Sequence, residues 1–240
     1  MLQVNWNYIK LLALLGLVVF LYAFSSAKNT VRNVSNPIIK FKGDNNLFLT
    51  HENVSKLLIQ KNESVKNKSK ETLDLNVLES ALNSNQMVKS AQVYLSVNGM
   101  ITAEVEQKKP IARVRTNASY YIDDQGGYMP LSLNYTARVP LVTGQIEKNN
   151  LSHVFKMAKK VNEDEFLRKH VIEIHQTEKN TFFLKFRQNN FAVQLGSLKN
   201  LDKKIMNLKA FYKKALKENT LNNYVNVNLQ FDSQVVCTKK

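Results

Sequence analysis

The pattern of apolar and polar positions divides the chain into one unbroken hydrophobic stretch followed by segments of helical and strand period. Residues 11–24, LLALLGLVVFLYAF, hold no charged side chain. Extended to Trp6 and Ala27, the stretch approaches the ~20 residues that span a bilayer. Residues 37–43 read as a short strand closed by a glycine turn. Thr50 is placed to cap a helix through about Gln60, with Val54, Leu57 and Leu58 on one face. Residues 61–71 are polar and lysine-rich, a loop. Asp74 then caps a second helix whose Leu75, Leu78, Ala81 and Leu82 recur at i, i+3, i+6 and i+7.

Strand alternation follows, with Val93 and Leu95 before Asn98-Gly99 and Ile101, Ala103 and Val105 after it. A two-residue turn would pair Val97 with Met100 and send the two apolar sets to opposite faces. A three-residue loop, Val97-Asn98-Gly99, pairs Leu95 with Ile101 and Val93 with Ala103 on one face. Gly99 would then take the left-handed position of a bulge. The predicted order is strand, helix, helix, hairpin. Beyond it, Tyr120-Tyr121-Ile122 enters a turn at Asp123-Asp124-Gln125-Gly126-Gly127. Leu151, Val154, Phe155, Ala158 and Val161 stripe a helix, and strand-like runs cover 171–175, 181–187 and 191–195. A long helix carries Leu201, Ile205, Leu208, Phe211, Tyr212 and Leu216 inward and lysines outward. Two last strands, about 224–231 and 234–238, turn at Asp232-Ser233.

The hydrophobic stretch has two readings. Lys10 and the aromatic Trp6 and Tyr8 suit the interface end of a membrane span. Ser25-Ser26-Ala27 suits the cleavage site of a signal peptide, whose core has this length. Lys10 is the only basic side chain before the stretch, whereas Lys28, Arg32, Lys40 and Lys42 follow it. By itself the positive-inside rule would therefore favour an external N-terminus.

The formal net charge of +15 raises nucleic-acid binding, but the lysines are spread from Lys10 to Lys240 with no arginine-rich run or aromatic-basic interleaving. A basic surface near anionic lipid or wall polymer fits equally well. The one cysteine, Cys237, excludes an internal disulfide and a multi-cysteine zinc site. No nucleophile elbow, P-loop or dinucleotide glycine pattern is present. His170 and His175, five apart, would lie on opposite faces of a strand and share no metal. Asp123 and Asp124 read as turn chemistry, and Glu163-Asp164-Glu165 as a solvated run at a helix exit. No catalytic residue, cofactor or metal is expected.

Several segments in order resemble the bacterial cell division family FtsQ/DivIB. Phe41-Lys42-Gly43-Asp44-Asn45 with Leu49-Thr50, and residues 85–93, look like the family's POTRA module. Gln107-Lys108-Lys109-Pro110-Ile111-Ala112 stands where the family usually has Glu-Arg-x-Pro-Val-Ala. YYIDDQG at 120–126, Val139-Pro140-Leu141-Val142-Thr143-Gly144, Leu195-Gly196 and residues 227–231 resemble its β-domain. Relatives often carry Asp-Leu-Arg-Tyr where this chain has Asn228-Leu229-Gln230-Phe231, so two charges are absent here. The resemblance implies an α+β chain divided into a cytoplasmic tail (1–8), a transmembrane helix (9–27), a POTRA-like domain (34–110) and an FtsQ-type β-domain with packed helices (111–240).

The implied function is a non-enzymatic bitopic scaffold of the division machinery, with its bulk outside the cytoplasm and at the septum. It implies FtsB/FtsL-like partners captured by strand addition along the last strand, with Phe231, Ser233, Gln234, Val235, Val236 and Cys237 as the contact residues. No nucleic acid or small-molecule substrate is implied. The other readings are a different POTRA-bearing membrane protein that binds polypeptides by β-augmentation, and an extracytoplasmic enzyme. The strand region at YYIDDQG and VPLVTG favours the division scaffold.

Overall fold

The computed structural model describes residues 6–30, 37–44, 46–60, 74–96, 100–231 and 234–240. Helix α1 (Trp6–Thr30) contains 21 residues, Trp6–Ser26, that are long and apolar enough to cross a membrane, and none of their side chains is buried. At 1.5 Å per residue this length matches a hydrocarbon core of about 30 Å. The chain parts into two compact units, one ending at Gln107 and the other beginning at Lys108.

The first unit orders β1 (Ile38–Lys42), α2 (His51–Gln60), α3 (Leu75–Asn83), β2 (Val88–Leu95) and β3 (Ile101–Gln107). Its sheet runs β1-β3-β2, with β1 parallel to β3 and β2 antiparallel to it. The hairpin register is the expected one: Leu95 opposes Ile101 and Val93 opposes Ala103. Val93, Ile101, Ala103 and Val105 are buried with Val54, Leu58, Leu78 and Leu82, while Leu95 is half-buried against the same core. The turn at 97–99 lies outside the described residues. Both predicted caps form. Thr50 Oγ1 accepts from the Asn53 N–H and Asn53 Oδ1 from the Thr50 N–H, a reciprocal box at the start of α2. Asp74 Oδ1 accepts from the Asn76 and Val77 N–H groups at α3.

The second unit orders β4 (Pro110–Arg115), β5 (Ser119–Asp123), β6 (Tyr128–Met129), β7 (Leu141–Gly144), α4 (Ser152–Glu163), α5 (Glu165–His170), β8 (Val171–Gln176), β9 (Phe182–Phe186), β10 (Ala192–Gly196), α6 (Leu201–Lys217), β11 (Tyr224–Asn228) and β12 (Val236–Lys239). All nine strands join one mixed sheet, β12-β11-β10-β9-β8-β7-β4-β5-β6. The β4–β7, β7–β8 and β10–β11 pairs are parallel. Parallel neighbours need crossovers. The pair α4–α5 supplies one between β7 and β8, and α6 another between β10 and β11. These helices cover one face: Val154, Met157, Val161, Leu167, Ile205 and Leu208 share a buried core with Ile122, Val142, Ile174, Leu184, Val193 and Val227. The other face carries Thr143, Glu173, His175, Lys185 and Gln194, and is largely open. Gly144, with φ +96°, is fixed by a close crossing, because a Cβ there would lie 2.0 Å from the Gln176 carbonyl oxygen.

The structure corrects several expectations. Residues 165–170 form the short helix α5, so His170 ends a helix rather than lying in a strand with His175. Its ring packs 4.5 Å from Phe166 and 4.9 Å from Tyr212, centroid to centroid, as part of an aromatic cluster. Asp164 is not a freely solvated carboxylate. It caps α5 through Leu167 N–H and pairs with Lys209 Nζ at 2.5 Å, leaving its side chain 12% exposed. The last two strands are shorter and shifted: β11 stops at Asn228 and β12 begins at Val236. Asn228 Oδ1 accepts the Gln230 N–H, closing a local turn that competes with further pairing to β12.

Candidate partner-binding edge

The residues from β10 onward build one end of the nine-stranded sheet. Gly196, at φ +72°, ends β10, and a Cβ there would meet the Gln230 side chain at 2.8 Å. Lys204, 6% exposed, donates to the Leu195 and Ser197 carbonyls at 3.0 and 2.7 Å, tying the first turn of α6 to the strand it follows. A buried ammonium is tolerated there because those carbonyls receive its protons. The chain returns through α6 and a 3-10 turn at Leu221–Asn223 into β11, parallel to β10.

On the open face, Asn228 and Gln230, where the resemblance implied charged residues, are joined by neutral contacts. Gln230 Oε1 accepts from Gln194 Nε2 at 3.1 Å, and Asn226 Nδ2 donates to Gln194 Oε1 at 3.4 Å. With the Asn228–Gln230 turn, these amides form an uncharged polar network across β10 and β11.

Among the described residues, strand β12 pairs only with β11, antiparallel, through Asn228–Val236, Val227–Cys237, Asn226–Thr238 and Tyr224–Lys239. Its other side is a free edge. Lys240 N–H donates to the Asn223 carbonyl at 2.9 Å, so it points toward β11. N–H directions alternate along a strand. Those of Thr238 and Val236 therefore face β11, and those of Cys237 and Lys239 face outward.

Side chains alternate as well. Val235 and Cys237 pack partly buried against the core, whereas Val236 is 41% and Phe231 46% exposed. Gln234 is exposed just before the strand, and Ser233 lies outside the described residues. Of the six expected contact residues, Phe231, Gln234 and Val236 are thus on the surface, and Val235 and Cys237 turn inward. Burial raises the Cys237 thiol pKa above its usual range, which disfavours the thiolate.

A second polar centre holds the YYIDDQG turn. Asp123 is 2% exposed, and its Oδ1 accepts from the Gln125 and Gly127 N–H groups at 3.0 and 2.7 Å. This is the turn chemistry expected from sequence. The partner of Oδ2, Lys108 Nζ at 2.9 Å, was not foreseen. Lys108 also donates to the Tyr128 carbonyl, so one lysine fastens both sides of the β5–β6 turn. In the first unit Gln107, 6% exposed, uses its amide oxygen to accept the Phe48 and Leu49 N–H groups and its NH₂ to donate to the Leu49 carbonyl. The position that departs from the family's Glu is a filled hydrogen-bonding site.

Among the described residues, the chain orders one span-length apolar helix, a β-α-α-β-β unit and a mixed sheet with a terminal edge strand. Residues 39–106 match a POTRA-like domain model. Residues 109–238 match the model described as FtsQ/DivIB, C-terminal related. That second match covers more than half of the 240 residues, and the chain belongs to the FtsQ/DivIB family, non-catalytic scaffold proteins of cell division. No curated protein matches it significantly. The apolar helix and the family domains fit a single-pass membrane division protein.

Proposed function

We propose that this chain is a bitopic scaffold of the bacterial divisome, with residues 1–8 cytoplasmic, 9–27 spanning the inner membrane, and the domains at 34–110 and 111–240 outside the cytoplasm at the septum. It recruits FtsB/FtsL-type partners by adding a partner strand to β12. The observation that carries this reading is the free edge of β12, with its outward Cys237 and Lys239 N–H groups. Main-chain bonds there supply affinity, and the exposed Phe231 and Val236 supply selectivity. Lysines also guard sheet edges against unspecific pairing. Lys239 and Lys240 serve that role at the end of the strand while leaving its start apolar.

Proline separates edge pairing from sheet integrity. Cys237→Pro removes an outward N–H and is tolerated in an edge strand, whereas Val236→Pro removes one that faces β11. The expected result for Cys237→Pro in the detergent-solubilised full chain is unchanged melting and at least tenfold weaker binding of an FtsB/FtsL-like fragment. Wild-type affinity in that folded variant would refute strand addition at β12.

A further inference from the structure

The chain carries only six arginines beside 28 lysines, and three of the six line a single cavity of about 360 Å³ in the second unit. Arg138 comes from the segment before β7, Arg168 from the last turn of α5, and Arg187 from the residue after β9. Between them lie Ile111, Pro140, Val171 and Ile172. Among the described residues, no carboxylate lines the cavity. Every ion pair among the described residues is made by a lysine, and none of these three arginines has a carboxylate partner.

Two of the three side chains have no structural task. Arg168 Nη1 donates to the Asn162 carbonyl at 3.3 Å, relieving the exposed C-terminal end of α4. Arg187 is held by its backbone, which donates to the His170 carbonyl at 2.8 Å, so its guanidinium is not needed for the fold. Arg138 has no side-chain hydrogen bond among the described residues. Three like charges around one cavity oppose each other unless a counter-charge enters. Lysine would give a solvated charge equally well, and this sequence uses lysine nearly everywhere else. Arginine differs by its planar fork, which grips a carboxylate through two parallel bonds.

We propose that this cavity docks an acidic peptide segment of a partner protein in which carboxylates alternate with apolar residues. The carboxylates engage the three guanidinium groups, and the apolar neighbours cover Pro140, Val171 and Ile172. The volume takes one or two side chains, and the apolar floor fits a peptide better than a bare phosphate polymer. The site is independent of the β12 edge: β9, the nearest contributing strand, is separated from β12 by β10 and β11.

The test uses the full chain in zwitterionic detergent and a fluorescent acetyl-Glu-Val-Glu-Val-Glu-amide probe at low salt, read by anisotropy. Wild type should bind this peptide and not its all-Gln counterpart. Arg138→Gln with Arg187→Gln, which breaks no side-chain hydrogen bond, should weaken binding at least tenfold with unchanged melting. Arg138→Lys with Arg187→Lys should weaken it by an intermediate factor, and Cys237→Pro should leave it unchanged. The proposal is overturned if wild type does not bind the probe, or if either double variant binds as wild type does. It is also overturned if Cys237→Pro abolishes binding, which would move the peptide to the β12 edge. Arginine-dependent binding of pyrophosphate or phosphatidylglycerol vesicles, with none of the peptide, would assign the cavity to phosphate instead.

Discussion

Gln107→Leu isolates the contribution of one buried amide, because leucine keeps nearly the same volume and removes all three hydrogen bonds. The Phe48 and Leu49 N–H groups and the Leu49 carbonyl are all buried where Gln107 meets them. Each buried backbone group left without a partner costs about 1–3 kcal/mol. Local relaxation makes the three less than additive, so the expected loss is about 3–5 kcal/mol for the first unit. For a domain of this size each kcal/mol shifts the melting temperature by roughly 4–8 °C, so the unit should melt on the order of 15 °C or more lower. Gln107→Glu retains the acceptor but loses the donor and sets a negative charge against the Leu49 carbonyl, so its loss should be intermediate. Hydrogen exchange of the Phe48 and Leu49 amides in the full chain, followed with temperature, reads the effect directly. Wild-type protection of those two amides in Gln107→Leu would refute the claim that this side chain holds the segment leading into α2.

Other sites give sharp expectations. Asp123→Ala strips a buried ion pair and the oxygen that accepts two turn hydrogen bonds and should cost about 3–5 kcal/mol, measured as a lower urea midpoint of the second unit; an unchanged midpoint would disprove the Lys108–Asp123 clamp. The Asp164 carboxyl is pulled in two directions: burial, the largest single influence, raises its pKa, but the Lys209 ammonium and the Leu167 N–H together hold it below the usual carboxylate range. Its stabilisation is therefore complete above the unfolded value near 3.9 and lost as pH falls through the depressed folded value. The melting gap between wild type and Asp164→Ala should narrow from pH 6 to pH 3, and a constant gap would show that the pair is not stabilising. N-terminal sequencing of the membrane-extracted protein should read residues before Leu11, whereas a start at Lys28 would mean a cleaved signal peptide.

The elements legible in the sequence are those in which one local pattern decided the outcome. The hairpin register followed from period-two alternation around Asn98-Gly99, since a slip of one residue would have exposed every apolar side chain. The stripes of α4 and α6 were readable for the same reason, each having an apolar face against the sheet, but at the ends of α6 Leu216 is exposed and Lys204 is buried, against the expected pattern. What escaped was short or depended on distant partners. Helix α5 has six residues, too few for periodicity, although Asp164 ahead of Phe166-Leu167 was a usable capping signal. β4 begins at a proline and β6 has two residues, so their pairing rather than their composition makes them strands. The end of β11 was set by the Asn228 side chain taking a backbone N–H. Lys108 and Asp123 meet only because β4 and β5 pair, and the arginines at 138, 168 and 187 converge only once β7, α5 and β9 are in place.

The uncharged side chains of Gln107, Asn228 and Gln230 bear on how binding at the two proposed surfaces would differ physically. At Gln107 the side-chain amide acts as both acceptor and donor. Asn228 and Gln230 belong to an uncharged amide network tied to Gln194. Neither site leaves an unsatisfied group, and the charge at the β12 end of the sheet is that of the exposed Lys239 and Lys240. In the proposed capture at β12, the main-chain bonds and the contacts of Phe231 and Val236 are those that added salt barely weakens. The arginine cavity has the opposite character, because exposed charges attract an acidic segment over distances that salt cuts to about 8 Å at physiological strength. A partner held at both places would lose its fast, salt-sensitive encounter in high salt and keep its slow, strand-paired release.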